Sequence, residues 1–173
     1  LADLIVSAPF NDAIATDAGR SYVIFGGTAQ TVQVNTMGTG GADTLTGTAS
    51  SETLVGGDGN DTLTGAGGAD VLYGGRGDDV IELNSDNVAK LALGYTDQHL
   101  ARVDGGTGID TVRLTDGASL DLSAISNQAA GDPETGSRIA GIEKIDLATD
   151  AAANTVTISL ADVFDMAGMN VFN

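Results

Sequence analysis

The sequence predicts an all-β fold: a parallel β-roll, which is a solenoid of short strands, with flanking β-strands and one to three short helices. Three observations predict this architecture. A nine-residue repeat runs from Gly38 to Glu82. Glycine recurs at fixed places early in each repeat, and an aliphatic residue recurs at the eighth position. Such a period is typical of solenoids, in which stacked units bury one continuous core.

The five consecutive repeats read GTGGADTLT, GTASSETLV, GGDGNDTLT, GAGGADVLY and GGRGDDVIE. Their sixth residues are all acidic: Asp43, Glu52, Asp61, Asp70 and Asp79. A further copy, GGTGIDTVR, follows an interruption and places Asp110 and Val112 in the acidic and aliphatic columns. A flexible Gly–Asp linker would not need an aliphatic residue at every ninth position, so the pattern favours a stacked coil.

Each repeat is expected to form a turn with its first six residues and a short strand with its last three. Glycine permits positive φ angles and a close approach that a Cβ would forbid. Because side chains alternate along a strand, the eighth residue points inward, and Thr44 and Thr46 point outward on either side of Leu45. Two repeats complete one coil, so alternate turns stack along the same edge.

The pattern GGxGxDxUx, where U is aliphatic, resembles the nonapeptide repeat of RTX (repeats-in-toxin) proteins, which binds calcium. The resemblance extends over residues 38–82 and returns over residues 105–113. It implies several Ca²⁺ ions as cofactors.

Stacked turns bring carboxylates close together, which is unfavourable unless a cation lies between them. Calcium accepts six to eight oxygen ligands at about 2.3–2.6 Å, both carboxylates and carbonyls. We therefore expect Asp43 to face Asp61 and Asp61 to face Asp79 along one edge. Along the other edge Glu52 faces Asp70, and Asp110 continues that second edge after Asp70. Glycine carbonyls are expected to complete the shells, namely those of Gly41, Gly57, Gly59, Gly68, Gly75, Gly77, Gly106 and Gly108.

The second repeat departs from the pattern. Its turn reads GTASSE, so it lacks two glycines and carries Glu52 in place of aspartate. This turn is expected to be distorted or to lack an ion. Asp58 and Asp78 also lie within turns and are either additional ligands or exposed turn acids.

Composition excludes several classes of function. The formal net charge is -17, which would repel the phosphates of a nucleic acid. Cysteine is absent and there is a single histidine, which excludes disulfides, thiolate chemistry and most zinc sites. There is no HExxH or GxSxG motif. No apolar run reaches the roughly 18 residues of a membrane span. We expect a non-enzymatic protein that does not insert into membranes.

Residues 1–36 form the first predicted region. The segment ADLIVSAPFNDAIATDAGRSYVIFGG, residues 2–27, resembles part of an FG-GAP repeat of integrin-like propellers. The resemblance covers about half of one blade, and half a blade cannot close a propeller. Strands at Leu4–Ser7 and Tyr22–Phe25 are instead expected to pair as a hairpin that covers one end of the roll.

Three further regions complete the predicted organisation: a roll over residues 37–83, a helical insertion over 84–103, and a final RTX turn with a β-rich cap over 104–173. Ser85 is expected to cap the first helix, and a second helix is expected near Thr96–Arg102. Short alternating runs after residue 109 predict strands, and Ser159 precedes a helical pattern. The segment GIEKIDL…NTVTISLADVFDM resembles C-terminal parts of large RTX surface proteins.

The resemblance implies a calcium-binding structural module of a bacterial RTX protein, most simply an adhesin, that is extracellular or on the cell surface. The chain is expected to be a piece of a longer parent, to be monomeric, and to fold on calcium after passage through type I secretion machinery. Two alternatives stay open at this point: a ligand- or ice-binding adhesin module, and the non-catalytic RTX tail of a secreted hydrolase.

Overall fold

The computed structural model describes residues 4–8, 20–24, 34–93, 99–125, 137–147, 150–160 and 162. The chain divides into two compact units, Leu1–Val32 and Gln33–Asn173. In the first unit, strand β1 (Leu4–Ala8) pairs antiparallel with β2 (Arg20–Ile24), and Leu4 lies opposite Ile24. That this hairpin covers an end of the roll stays a prediction.

Two parallel five-stranded sheets build the second unit. The first sheet has the order β13-β10-β8-β6-β4. Its strands are β4 (Thr44–Thr46), β6 (Thr62–Thr64), β8 (Val80–Leu83), β10 (Thr111–Leu114) and β13 (Lys144–Asp146). The second sheet has the order β12-β9-β7-β5-β3. Its strands are β3 (Thr36–Met37), β5 (Thr53–Asp58), β7 (Val71–Arg76), β9 (Arg102–Thr107) and β12 (Ile139–Ala140). The chain alternates between the sheets, which is the predicted parallel β-roll.

The aliphatic column forms the core between the sheets. In the first sheet Leu45, Leu63, Ile81 and Val112 lie in register and are buried. In the second sheet the aligned residues are Leu54, Leu72, Val103 and Ile139, each with 1% exposure or less. A one-residue slip would turn every one of these side chains outward, so burial fixes the register.

Three strands of the second sheet are longer than predicted. β5, β7 and β9 continue through the first three residues of the following repeat, so their six residues include two consecutive glycines. Gly57 pairs with Gly75, and Gly75 pairs with Gly106. The turns on the two edges of the roll therefore differ in shape, although the repeats share one sequence pattern.

Helix α1 (Ser85–Ala92) fills the interruption. Its N-cap is Asn84 rather than the predicted Ser85, because the Asn84 side chain accepts from the backbone N–H groups of Asp86 and Asn87, each at 3.0 Å. The predicted second helix is wrong where the structure describes it, since Arg102 begins strand β9 and residues 99–101 are not helical. Residues 94–98 lie outside the described residues.

The end of the roll is covered by shorter elements. β11 (Ser119–Asp121) pairs in parallel with β14 (Thr155–Thr157), and a 3₁₀ helix (Leu122–Ala124) follows β11. The apolar residues Leu114, Leu120, Leu122 and Ile142 extend the same core. Ser159 and Asp162 exchange side chain to backbone hydrogen bonds of 2.7 and 3.3 Å, as at a helix start. Most of the helix predicted after Ser159 lies outside the described residues.

Candidate metal centre

A column of carboxylates follows one edge of the roll, which we call the first edge. It consists of the turns that lead into β4, β6, β8, β10 and β13. The backbone N–H of Asp43 donates to Oδ1 of Asp61, that of Asp61 to Oδ1 of Asp79, and that of Asp79 to Oδ1 of Asp110. Each of these bonds is 2.8 Å long. The structure thus brings together Asp43, Asp61 and Asp79 in the order predicted from stacking alternate turns.

Asp110 lies on the first edge, next to Asp79, and the prediction that it follows Asp70 is wrong. Equivalent positions on the first edge are 18 residues apart in the repeats but 31 apart between Asp79 and Asp110. The interruption contains strand β9, which supplies the missing half of a coil. Ala101, not an acid, therefore follows Asp70, whose carbonyl accepts from Arg102 N–H.

Three carboxylates of the first edge each retain a buried oxygen without a hydrogen-bond partner among the described residues. These atoms are Oδ2 of Asp61, Asp79 and Asp110. The three residues are between 0% and 1% exposed. An ionised carboxylate buried without compensation costs roughly several kcal/mol. Repeated three times in one column, this arrangement calls for positive charge that no side chain here supplies.

Backbone carbonyls lie beside these oxygens. A Cβ built on Gly56 would meet Oδ2 of Asp61 and the carbonyl oxygen of Gly74 closer than 3.0 Å. A Cβ on Gly74 would likewise meet Asp79 and the Gly105 carbonyl. Only glycine leaves this space open, and its borders are carboxylate and carbonyl oxygens. This is the donor set that calcium prefers, so the residues of the first edge fit the ion.

The predicted glycine ligands line the same turns. Gly57, Gly75 and Gly106 form one stacked row, and Gly59, Gly77 and Gly108 form another beside it. All six have positive φ, a conformation that favours glycine. Gly41 stacks against Gly59 at the end of the second row, and Gly68 lies on the opposite edge with φ of 91°.

Burial dominates the electrostatics of the first edge. Desolvation raises the pKa of Asp79 to about 6, against the hydrogen bond from Asp61 N–H, which lowers it. Desolvation also raises the pKa of Asp110, and the neighbouring Glu143 carboxylate adds to the increase. Without a cation the folded coil therefore disfavours the ionised forms of Asp79 and Asp110.

The first two repeats satisfy their carboxylates internally. Thr39 donates to Asp43 Oδ2 from its backbone N–H at 2.6 Å and from its hydroxyl at 2.8 Å. Thr48 donates to both carboxylate oxygens of Glu52, at 2.6 and 2.5 Å. The Thr39 backbone bond lowers the pKa of Asp43. The carboxylates with an unpartnered buried oxygen in the described part of the chain belong to repeats whose second residue is glycine, which has no hydroxyl to donate.

The turns that lead into β5, β7 and β9 form the second edge, where Glu52 and Asp70 are neighbours as predicted. The Glu52 N–H donates to Asp70 Oδ1 at 2.9 Å. Asp70 Oδ2 accepts from the side-chain amide of Asn87 in α1, also at 2.9 Å. Desolvation raises the pKa of Asp70 to about 7.

Two residues of these edges were missed at the sequence level. Glu143 ends the first edge, where its Oε2 accepts from Asp110 N–H at 2.8 Å. Its place directly before the alternating run KIDL could have indicated this role. Asn87 gave no such signal, because nothing in a helical pattern marks the partner of a distant carboxylate.

Asp78 is exposed in its turn. Its Oδ1 accepts from Ile109 N–H at 2.9 Å, and its own N–H donates to Asn60. Among the described residues no three His, Cys, Asp or Glu side chains converge on one point. Backbone carbonyls would therefore have to complete the coordination of any ion.

Comparison with known families agrees with this geometry. Residues 37–51 and 46–81 match the model of the RTX calcium-binding nonapeptide repeat, in 4 copies. These nonapeptides are similar to RTX repeats. RTX repeats bind calcium, so the match indicates a calcium-binding structural module over residues 37–81. No curated protein and no solved structure matches the chain. None of the helices in the described residues has the length and apolar character needed to cross a membrane.

Proposed function

We propose that the chain is a calcium-dependent folding module of a secreted or cell-surface bacterial RTX protein, and that the parent protein is an adhesin. The observation that supports this most strongly is the column of buried, unpartnered carboxylate oxygens on Asp61, Asp79 and Asp110. A buried row of like charges destabilises the folded state in the absence of a cation. The same row stabilises the folded state when a cation is bound.

The chain's own residues would hold calcium with Oδ2 of these three aspartates and with carbonyls of the stacked glycine rows. The bound ion would supply positive charge that offsets both desolvation and mutual repulsion. A site that is saturated at about 100 times its dissociation constant adds about 2.7 kcal/mol to folding. Three such sites would rival the roughly 5–15 kcal/mol stability of a whole domain.

Calcium dependence suits a secreted protein. With a net charge of -17, the unfolded chain repels itself and stays extended where calcium is scarce. Extracellular calcium modules typically bind at about 10⁻⁴–10⁻³ M, so the roll would fold only outside the cell. In this proposal type I secretion machinery exports the parent chain, and the folded module is extracellular and monomeric.

The module is proposed to act structurally and not as an enzyme. The acidic residues recur once per repeat, and their carboxylates accept hydrogen bonds from backbone N–H groups of neighbouring coils. The FG-GAP resemblance of residues 2–27 favours a surface protein over the tail of a secreted hydrolase. The sequence of the parent gene upstream of Leu1 distinguishes these two hypotheses.

An ice-binding surface is less well supported. Thr44 and Thr46 of β4 lie opposite Thr62 and Thr64 of β6, which would begin a threonine array. The next strand places Val80 and Glu82 in those positions, and Glu82 accepts from the Thr64 hydroxyl at 2.9 Å. The array therefore spans two strands, and a thermal-hysteresis assay tests whether it has activity.

A calcium titration followed by circular dichroism and calorimetry tests the proposed function. We expect a disordered spectrum in chelator and a cooperative gain of β-structure as calcium is added. Magnesium is the control, because it demands tighter octahedral geometry and keeps its waters. A compact β-rich spectrum that is the same in chelator and in calcium would refute the proposal.

A further inference from the structure

The two edges of the roll treat their buried aspartates differently. On the first edge, Oδ2 of Asp61, Asp79 and Asp110 has no partner. On the second edge Asp70 is also buried, with 4% exposure, yet both of its oxygens accept hydrogen bonds. Oδ1 accepts from Glu52 N–H and Oδ2 accepts from Asn87 Nδ2, each at 2.9 Å. Both oxygens of Asp70 are therefore already occupied by hydrogen-bond donors of the chain.

The capping geometry of α1 fixes which end of the Asn87 amide faces Asp70. The backbone N–H of Asn84 lies 3.3 Å from Asn87 Oδ1. A backbone N–H can only donate, so the oxygen end of the amide must face Asn84. The donor end then points at Asp70, and Asn87 is held in place with 4% exposure. The capping box of the helix thus aims a hydrogen-bond donor into the second edge.

This donor stands where the first edge has an oxygen. A Cβ built on Gly74 would meet Asp79 Oδ2 and, at 2.5 Å, the carbonyl oxygen of Gly105. A Cβ built on the equivalent Gly65 would meet Asp70 Oδ2 at 2.5 Å and Asn87 Nδ2 at 2.8 Å. An amide NH₂ offers a cation no lone pair and presents partial positive charge. Where the first edge has two oxygens side by side, the second edge has an amide nitrogen that donates a hydrogen bond to a carboxylate oxygen.

Two further contacts occupy the second edge. Asp86 of α1 accepts from Gly68 N–H at 2.9 Å, which fastens the helix to the same turn. The guanidinium of Arg138 donates to the carbonyls of Ala101 and Leu93, each at 2.9 Å. Ala101 is the residue that follows Asp70 along this edge. The Ala101 carbonyl, which could otherwise coordinate an ion, thus accepts a hydrogen bond from the guanidinium of Arg138.

We infer that the roll is asymmetric: calcium is held on the first edge by Asp61, Asp79 and Asp110, and the Asp70 turn is a metal-free site that Asn87 closes in place of an ion. This inference deepens the proposed function and rests on it. The interruption of the repeat then has a definite role, because α1 ends the series of ion sites on one edge while the other continues.

Calcium bound per chain tests the inference, measured on the full chain by equilibrium dialysis with atomic emission. Asp79→Asn and Asp70→Asn are a matched pair, since each removes one buried carboxylate charge. We expect Asp79→Asn to lose at least one ion and Asp70→Asn to keep the count of the unaltered chain. Loss of an ion in Asp70→Asn would overturn the inference. A chain that binds no calcium at all would instead refute the proposed function.

Crystals of the unaltered chain soaked with terbium provide a test that does not depend on how a variant folds. Anomalous difference peaks are expected beside Oδ2 of Asp61, Asp79 and Asp110. No peak is expected at coordinating distance from either oxygen of Asp70, and the Asn87 amide should stay on Asp70 Oδ2. A terbium ion bonded to Asp70 would overturn the inference.

Discussion

The backbone N–H of Asp61 donates a 2.8 Å hydrogen bond to Oδ1 of Asp79 in the next coil. This bond fixes the Asp79 carboxylate so that its other oxygen, Oδ2, is buried without a partner. Asp79 therefore connects two coils in two ways, as a side-chain acceptor for a backbone N–H and as a candidate ion ligand.

Asp61→Ala should weaken calcium-dependent folding strongly. The Asp61 side chain accepts from Asp43 N–H and contributes one of the unpartnered oxygens, and alanine removes both. We expect the calcium midpoint of folding to rise roughly tenfold or more, equivalent to about 1.4 kcal/mol or more. Circular dichroism at increasing calcium measures it.

Asp43→Ala is the control for that experiment, because Thr39 already satisfies the Asp43 carboxylate. Its calcium midpoint should rise less. Equal midpoints for Asp61→Ala and the unaltered chain would show that the assignment of the first edge is wrong.

Gly74→Ala should block a candidate ion site without removing any carboxylate. The added Cβ would lie closer than 3.0 Å to Asp79 Oδ2 and to the Gly105 carbonyl. Overpacking of this kind typically costs about 1–3 kcal/mol. Gly40→Ala is the matched control, since a Cβ there meets nothing within 4 Å. Calorimetry in calcium should show a lower unfolding temperature for Gly74→Ala alone. Equal unfolding temperatures for the two variants would contradict an ion site beside Gly74.

In calcium-free buffer the roll should be more stable at mildly acidic than at mildly alkaline pH. Burial raises the pKa of Asp70 to about 7 and of Asp79 to about 6. Protonated, neutral forms of these groups are compatible with the coil, so their stabilising contribution is complete below about pH 4 and is lost as the pH rises through about 6 to 7.

The measurement for this pH effect is the far-ultraviolet circular dichroism of chelator-treated protein at about pH 5 and about pH 8. More β-structure is expected at the lower pH. With calcium present, protons compete with the ion for the carboxylates, so the calcium midpoint should rise as the pH falls. More β-structure at the higher pH in calcium-free buffer would contradict the prediction.

Asn84→Ala should destabilise the protein by about 1 kcal/mol, the usual cost of losing an N-cap. The Asn84 side chain accepts from two backbone N–H groups, and alanine removes both hydrogen bonds. Ser85→Ala, one residue later, is the control and should cost little. The free energy of unfolding in calcium measures both, and a larger loss for Ser85→Ala would contradict the observed cap.

Much of the roll follows from the period alone. A nine-residue repeat with one aliphatic column can bury that column in only one way, so the register of Leu45, Leu63 and Ile81 was predictable. The stacking of Asp43, Asp61 and Asp79 followed from the same count. These features depend on local turn chemistry repeated in phase, which a sequence records directly.

The position of Asp110 was not predicted correctly because the interruption contains half a coil whose sequence does not match the repeat. Val103 lies nine residues before Val112 and occupies the aliphatic column, but no glycine-rich turn precedes it. The hydrogen bond from the Asn87 amide to Asp70 also could not be predicted from the repeat pattern. It depends on where a helix docks in three dimensions, which tertiary packing and not periodicity decides.

The pairing of β7 with β9 across the interruption has a consequence for how such chains can diversify. The strands stay in register although 31 residues, and not 18, separate equivalent positions. A segment inserted at the second edge therefore leaves the opposite side of the solenoid undisturbed. The second edge can therefore accept inserted peptides, grafted or evolved, while the first edge keeps its column of carboxylates.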